Sequence, residues 1–187
     1  MSILVYIENT EGILKKGTFE AVSYAVQLGK TRSTGVIGVS IGEVSNEELT
    51  KAGQYGLKEV IKLNGSNFNH QTAASLIKEV ASEKSITTVV VANSWQGKGI
   101  GPRLAIKMDA GLVTEVVSLP DGNTIKKKAF SGKAFVNVTM TKEKNIVAVA
   151  ANSYGLKETP SQVEISERSV EINENKLKHV AYNRDTT

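Results

Sequence analysis

The sequence contains no cysteine among its 187 residues and only two histidines. The lack of cysteine excludes disulfide bonds, thiolate nucleophiles, and the cysteine ligands of zinc sites and iron–sulfur clusters. The two histidines, His70 and His179, lie far apart in the sequence, and neither has an acidic ligand motif beside it. We therefore expect no metal site. His70 also has no recognisable serine partner, so we expect no catalytic triad.

Long apolar runs are missing as well. No run approaches the roughly 20 residues that a membrane-spanning helix needs. The short apolar stretch within residues 1–8 lacks the basic lead of a signal peptide and is typical of a first β-strand. We therefore expect an intracellular protein that does not insert into a membrane.

Aromatic residues are scarce, at 5% of the chain, although the net charge is +4 and the isoelectric point is near 9.2. A basic chain suggests nucleic acid as a partner, but here the lysines are dispersed among acidic residues. We therefore expect no nucleic-acid partner. The exception is the lysine run 126–128, which we interpret as protection of a sheet edge against unwanted strand pairing.

Strand and helix patterns alternate through the first two thirds of the chain. Strands are predicted at 3–7, 35–41, 59–63, 86–92 and 112–119, and helices around 19–29, 46–52, 72–80 and 97–108. We expect Gly29 and Gly111 to end the first and the fourth of these helices, and Thr72 or Asn69 to cap the third. Residues 86–92 form a continuous run rich in β-branched side chains, typical of a parallel strand covered by helices on both faces. We place this strand at the centre of the sheet.

The pattern changes after the turn sequence at 120–123. Three short runs follow, at 125–130, 134–140 and 145–151, and we predict that tight turns join them as antiparallel strands. A last extended segment is indicated by apolar residues at alternating positions, namely Val163, Ile165, Val170 and Ile172. The prediction is a single α/β domain over 1–182, with a mostly parallel sheet flanked by helices on both faces and an antiparallel extension.

The segment Gly97 to Arg103 is the best local candidate for a ligand site, because it joins the central strand to a helix. Free backbone N–H groups at a helix start attract anions, and ligands favour this end of an open α/β sheet. The segment lacks the lysine–hydroxyl ending of a phosphate loop. Its glycines also suit close helix–sheet packing, and Pro102 suits a first helical turn. Both interpretations, an anion site and a packing device, stay open.

Trp95, Lys98 and Arg103 flank the mouth of the central strand and are the candidate contacts with a cofactor or partner. An indole in this place could stack on an adenine, although a lone tryptophan at a strand end is commonly a packing residue. No pattern indicates catalysis, because Asp109 and Glu115 lack the spacing of a catalytic carboxylate pair. We expect no catalytic residues and no enzymatic activity from this chain.

Several motifs, in order along the chain, resemble those of the electron transfer flavoprotein α-subunit family. A first strand that ends in Glu8 is followed by a Thr-x-Glu-Ala helix at 18–21, and Gly-Lys-x-x-x-Pro-Arg-x-Ala occupies 97–105. The strand at 112–117 and the turn Phe-Ser-Gly-Lys-Ala at 130–134 stand where the family has an Asp-Val strand and a Tyr-Ala-Gly-Asn-Ala turn. Glu115 takes the place of the expected aspartate, and Lys133 that of the expected asparagine.

The resemblance implies an adenine nucleotide alpha hydrolase-like fold and the role of an amino-terminal domain. In that family, flavin adenine dinucleotide (FAD) is held chiefly by a second, carboxyl-terminal domain. We therefore expect residues 183–187 to begin a linker toward a domain that this chain lacks, and we expect no FAD to bind to the chain itself.

The resemblance also implies a β-subunit partner within an electron carrier. Such a carrier takes electrons from acyl-coenzyme A and other dehydrogenases and delivers them to a membrane-bound quinone oxidoreductase. The implied location is the bacterial cytoplasm or the mitochondrial matrix. One alternative from another class stays open, a free-standing adenine-nucleotide-binding α/β protein of the universal-stress type, because residues 97–103 follow a strand and open a helix.

Overall fold

The computed structural model describes residues 2–66 and 68–171. The helices are α1 (Lys16–Thr31), α2 (Asn46–Thr50), α3 (His70–Glu83) and α4 (Trp95–Met108), with 3₁₀ turns at Lys51–Tyr55 and Phe130–Gly132. The strands are β1 (Ser2–Ile7), β2 (Asn9–Thr10), β3 (Ile13–Leu14), β4 (Val36–Ile41), β5 (Glu59–Asn64), β6 (Ile86–Ala92), β7 (Gly111–Val116), β8 (Thr124–Ala129), β9 (Ala134–Thr139), β10 (Asn145–Val149) and β11 (Glu164–Ser169).

Nine of these strands form one sheet in the order β11-β5-β4-β1-β6-β10-β7-β8-β9. The neighbours from β11 to β7 run parallel, whereas β8 is antiparallel to both β7 and β9. β2 and β3 pair separately as a small antiparallel hairpin. The predicted α/β fold, a mostly parallel sheet with an antiparallel extension, is confirmed.

The hydrophobic core consists of two layers, one on each face of the sheet. α1 contributes Val22 to one layer, and α3 and α4 contribute Ile77 and Leu104 to the other. β6 serves both layers, because Val90 faces the first and Val91 the second. Both valines are fully buried, and β6 is the middle strand of the nine, which confirms that the continuous β-branched run is the central strand.

The prediction that residues 145–151 form an antiparallel strand is wrong. β10 lies between β6 and β7 and is parallel to both. Its residues Ile146, Val147, Ala148 and Val149 are all buried, the burial of a strand covered on both faces rather than of a half-exposed antiparallel strand. The hairpin β8–β9 is therefore an insertion in the connection from β7 to β10.

The sheet has different edges from those expected. The lysine run 126–128 lies in β8, which pairs with β7 on one side and β9 on the other, so the edge-protection interpretation of this run is wrong. β9 is the strand at that edge, and β11 closes the opposite edge beside β5. Ile172, His179 and the predicted linker at 183–187 lie outside the described residues.

Two glycines predicted to stop helices have other roles. Gly29 lies inside α1, where an added Cβ would come within 2.6 Å of Val36 Cγ2, so its small size lets the helix approach β4 closely. Gly111 begins β7, and the left-handed residue that ends α4 is Asp109, with φ 49°. The predicted cap of α3 is confirmed, because the Asn69 side chain accepts hydrogen bonds from the first turn.

Candidate functional site

The strand order places the topological switch point between β1 and β6. From β1 the chain builds the sheet outward through β4 and β5 on one side, and later through β6 on the other. In open α/β sheets, ligands bind in the crevice at the carboxyl ends of the strands beside such a point. The residues that follow β1 and β6 therefore form the first candidate site.

A carboxyl group of the chain itself occupies this crevice. The Ser94 hydroxyl donates a short hydrogen bond to Glu8, and it also accepts from the Gly97 N–H at 3.0 Å as the N-cap of α4. Glu8 is only 7% exposed. Burial raises the pKa of the Glu8 carboxyl, and the Ser94 hydrogen bond offsets this only in part. The Glu8 side chain thus stands where an external anion would meet the helix N-terminus.

A second side chain closes the crevice further. Gln96 accepts a hydrogen bond from the Tyr6 hydroxyl at 2.9 Å and donates to the Asn9 carbonyl at 2.8 Å. Asn9 in turn donates to the Ile41 carbonyl at 3.0 Å. Burial, with the nearby Glu8 carboxyl, raises the pKa of the Tyr6 hydroxyl. These bonds tie the ends of β1, β4 and α4 together across the position that a nucleotide would need.

Beside the filled crevice lies an open cleft of about 210 Å³, between the start of α4 and the end of β7. Glu115 lines it and adopts a left-handed conformation, φ 57°, at an irregularity in the β7–β10 pairing. The Asn93 amide nitrogen donates a short hydrogen bond to Glu115, while Asn93 Oδ1 is buried with no hydrogen-bond partner among the described residues. Ordinary ligand sites enclose roughly 300–1,000 Å³. Neither this cleft nor the filled crevice fits FAD.

The glycine-rich segment lies inside α4 rather than ahead of it. α4 begins at Trp95, so Pro102 is in the helix interior and its predicted place in the first turn is wrong. An added Cβ at Gly97 would lie 1.8 Å from the Ala92 carbonyl oxygen, and one at Gly99 would lie 2.2 Å from the His70 ring. The glycines therefore allow α4 to pack closely on β6 and α3, as the packing interpretation expected.

The three predicted contact residues all lie on α4 but do not converge. Trp95 is 79% exposed, and its ring meets that of His70 edge-on at 4.5 Å between centroids. Lys98 borders the 210 Å³ cleft. The Arg103 guanidinium donates to the Gly99 carbonyl at 2.7 Å. With 3.6 residues per turn, Lys98 and Arg103 fall on opposite sides of Trp95.

Burial and the Arg103 charge affect the His70 imidazole, which lies at the start of α3. Burial is the larger cause, and together with the neighbouring guanidinium it lowers the pKa of His70. Both causes disfavour the imidazolium form. His70 therefore favours its neutral state and serves as a packing partner of Trp95.

Glu20 belongs to the Thr-x-Glu-Ala motif, but no sequence pattern assigned it a role; it is a buried carboxylate. It lies on α1, is 2% exposed, and accepts hydrogen bonds from four successive backbone N–H groups at 152–155, at 2.7–2.8 Å. Burial opposes its ionisation, but the four donors outweigh burial and lower the pKa of the Glu20 carboxyl. The sequence signal that could have indicated its burial is its position beside Ala21 and Val22, on the apolar face of the predicted helix.

Thr18 and Glu20, two residues of the Thr-x-Glu-Ala motif, hold the ends of two strands. The Thr18 hydroxyl donates to the Glu8 carbonyl at 2.8 Å, directly after β1. Glu20 anchors the loop 152–155, which follows β10. The start of α1 therefore organises the carboxyl end of the sheet through internal bonds.

Within residues 2–66 and 68–171, no group of three or more histidine, aspartate or glutamate side chains is placed to hold a metal ion. In the same part of the chain, no helix combines the length and the apolar character needed to cross a membrane.

Comparison with known proteins gives one family. The sequence model of the family described as "Electron transfer flavoprotein domain" matches residues 3–174. A probable mitochondrial electron transfer flavoprotein subunit alpha of Cryptococcus neoformans is 26% identical over 160 residues, which cover 82% of this chain and 45% of that protein. The electron transfer flavoprotein subunit alpha of Bacillus subtilis is 26% identical over 186 residues, covering 95% of this chain and 56% of the relative.

A relative whose name gives a different role matches a shorter stretch. The acryloyl-CoA reductase electron transfer subunit beta of Anaerotignum propionicum is 26% identical over 120 residues, covering 63% of this chain and 33% of that protein. The chain spans about half the length of the first two relatives, at 45% and 56%.

Proposed function

Because the chain belongs to the electron transfer flavoprotein domain family, we propose that it is the amino-terminal platform domain of an α-subunit and carries no catalysis of its own. The observation that carries this proposal is the family match over residues 3–174. The relatives named as electron transfer subunits support a carrier rather than an enzyme. The proposed domain bounds are 1–182, with a linker from 183.

The proposed partner is an electron transfer flavoprotein β-subunit. In this proposal the pair supports an FAD that is held mainly by another domain of the complete α-subunit. The carrier takes electrons from acyl-coenzyme A and other dehydrogenases and passes them to a membrane-bound quinone oxidoreductase. Relatives from bacteria and mitochondria support a place in the bacterial cytoplasm or the mitochondrial matrix.

The interior of the candidate site supports a platform rather than a nucleotide carrier. Glu8 and Gln96 fill the crevice at the switch point with side chains that bond to the chain itself. A phosphate group there would meet the Glu8 carboxyl directly, which is unfavourable whenever that carboxyl is ionised. The four donors to Glu20 likewise use backbone N–H groups internally.

Trp95, Lys98 and Arg103 are the proposed contacts with the flavin-bearing part of the assembly. All three are exposed, and the Trp95 side chain, at 79% exposure, presents the aromatic surface. A tryptophan flanked by two cations suits a protein or cofactor surface that is apolar in the centre and anionic at the rim. Because these residues diverge around α4, the proposal is contact across a face, without a pocket.

Deletion tests the main proposal. A complete α-subunit of this type is compared with one that lacks the residues equivalent to 1–182, each co-expressed with its β-subunit. We expect the deleted form to lose stable assembly, measured by light scattering, and to lose electron transfer from an acyl-coenzyme A dehydrogenase. Normal assembly and normal transfer in the deleted form would overturn the proposal.

The second candidate is the free-standing adenine-nucleotide binder of universal-stress type. The position of α4 directly after the central strand favours it, while the buried Glu8 carboxyl disfavours it. The test is thermal unfolding of this chain with ATP and with AMP, because a ligand that binds only the folded state must raise the melting temperature. No rise in either case, with no heat of binding in calorimetry, rejects this candidate.

A further inference from the structure

We propose that the hairpin β8–β9 is a docking surface for the acidic face of a second protein subunit. The hairpin surface comprises residues 124–139. The inference rests on the proposed function in one respect, because the second subunit is the β-subunit named there. The hairpin belongs to none of the contacts described at the candidate site, and it lies at the opposite side of the sheet from β11.

The end of the hairpin exposes large apolar side chains. Phe130 is 81% exposed, Phe135 56% and Val136 43%. They lie within seven consecutive residues around the 3₁₀ turn Phe130–Gly132. Phe135 and Val136 are successive residues of β9, so their side chains lie on opposite faces of the hairpin. Single exposed apolar residues are ordinary, but three large ones around the end of one hairpin leave apolar surface on both faces that a partner can cover. Lys126 adds a charged group on the Phe135 side, with its ammonium group 4.5 Å from the Phe135 ring centroid.

The backbone at the same place is strained. Phe130, Ser131 and Gly132 follow one another in the left-handed region, with φ of 48°, 54° and 87°. This region suits glycine, but an aromatic residue is an outlier there. Strain of this kind is concentrated at functional positions. Burial of Phe130 within its own chain does not compensate the strain, because the side chain is exposed.

The positive charge of the hairpin favours a partner with an acidic surface. Residues 124–139 contain Lys126, Lys127, Lys128 and Lys133 and no acidic residue, so their charge equals the entire formal net charge of +4. The rest of the chain is formally neutral. Pairing of two copies through this hairpin would place like charges together, which is unfavourable. An acidic surface on a different subunit is the complementary partner.

The free edge of the sheet points to protein rather than nucleic acid. β9 is the outermost strand of the sheet on this side, and an edge strand offers backbone groups for pairing with a strand of another chain. β8 pairs with β7 at a single residue pair, Val116 with Lys127, so the hairpin projects from the parallel sheet. An aliphatic side chain such as Val136 also suits a protein pocket better than a base.

The test measures binding of this chain to the purified cognate β-subunit by calorimetry, with charge reversal and apolar replacement in the hairpin. The variants are Lys126→Glu with Lys133→Glu, and Phe130→Gly. The matched controls are Ile106→Ser and Lys107→Glu on α4, where Ile106 is as exposed as Phe130, at 84%. Thermal unfolding of every variant shows that it folds.

We expect each hairpin variant to weaken binding by about 30-fold or more, the effect of losing a hot spot, while the α4 controls stay within about 3-fold. The affinity of the unchanged chain should also fall as salt rises. Unchanged affinity in the folded hairpin variants would overturn this inference and leave the proposed function standing.

No binding by the unchanged chain would count against the proposed function and this inference together. Binding of a single-stranded DNA probe to this chain is measured as well, to test nucleic acid as the alternative partner of the hairpin. Binding of the probe with a steep salt dependence, together with hairpin variants that still bind the β-subunit, would assign the hairpin to nucleic acid and overturn the inference.

Discussion

The parallel part of the sheet buries carboxyl groups, whereas the hairpin β8–β9 exposes large apolar groups. In the parallel part, the carboxyl groups of Glu8 and Glu20 are buried, at 7% and 2% exposure, and both are hydrogen-bonded within the chain. In the hairpin, Phe130 and Phe135 are exposed and the charges are all of one sign. The comparison shows that the parallel part uses its buried polar groups for bonds within the chain, whereas the hairpin leaves exposed the groups on which the proposed docking depends.

The largest effect is expected at Glu20. Glu20→Ala removes the acceptor of four backbone N–H groups at 152–155, and breaking a buried hydrogen-bond network of this kind should lower the unfolding free energy by about 3–5 kcal/mol. Urea unfolding of the variant and the wild type measures this loss. Glu20→Gln keeps one acceptor and should lose less. A loss below about 1 kcal/mol for Glu20→Ala would show that other contacts hold the loop.

The next effect is expected at Gly97. Gly97→Ala would place a Cβ at 1.8 Å from the Ala92 carbonyl oxygen, so α4 must move away from β6, at a cost of about 2–3 kcal/mol. Gly101→Ala is the matched control in the same helix, because its Cβ would lie 3.5 Å from Leu112 Cδ1 in ordinary contact. The control should be neutral or gain up to about 1 kcal/mol from helix propensity. Equal losses at both positions would reject the close-packing role.

The two buried carboxyl groups should respond to pH with opposite signs. The lowered pKa of Glu20 contributes stability that is full above the unfolded-state pKa and is lost as pH falls through the folded-state pKa. The raised pKa of Glu8 acts in reverse, with stability lost as pH rises from the unfolded-state pKa through the higher folded-state pKa.

Urea unfolding from about pH 3 to about pH 7 spans the ordinary glutamate pKa of roughly 4.3. We expect the stability advantage of the wild type over Glu20→Gln to shrink toward the acid end. The unfolding free energy of Glu8→Gln should rise relative to that of the wild type toward the neutral end of this pH range. Parallel pH profiles for both pairs would contradict the assigned environments.

The smallest effect is expected at Phe130, and it should be a gain. Phe130→Gly relieves a left-handed conformation that costs a side-chain-bearing residue roughly 1–2 kcal/mol, less the extra freedom of glycine in the unfolded chain. We expect a net gain of about 0.5 kcal/mol in the unfolding free energy. Phe135→Gly, at a regular position of β9, should instead lose about 0.5–1 kcal/mol. A loss at Phe130 would mean that its ring packs within the chain.

The alternation of strands and helices could be predicted because it depends on local spacing. The burial of β6 followed from its continuous run of β-branched side chains, and the start of α3 followed from two capping candidates, of which Asn69 is the cap. The same reasoning failed for β10, whose apolar run was assigned to the antiparallel extension because it follows a hairpin in the sequence. Proximity in the chain was a poor guide there, since the hairpin is an insertion between two parallel strands.

The candidate site was predicted less well than the fold. Trp95, Lys98 and Arg103 were expected near the mouth of the central strand, and they do lie on the helix that follows it. The bonds made by the two buried carboxyl groups were missed, because Glu8 and Ser94 are 86 positions apart and Glu20 and Asn152 are 132 apart. No local spacing links residues at such separations.

The sequence by itself determined the α/β class, the central strand and the family resemblance, because these depend on periodicity and on ordered short motifs. Only the tertiary structure decided that β10 enters the parallel sheet, that Glu8 fills the switch-point crevice, and that Phe130 is left exposed. The physical reason is that periodicity reports which face of an element is apolar, whereas the partner of a buried carboxyl or a free strand edge depends on how distant elements pack.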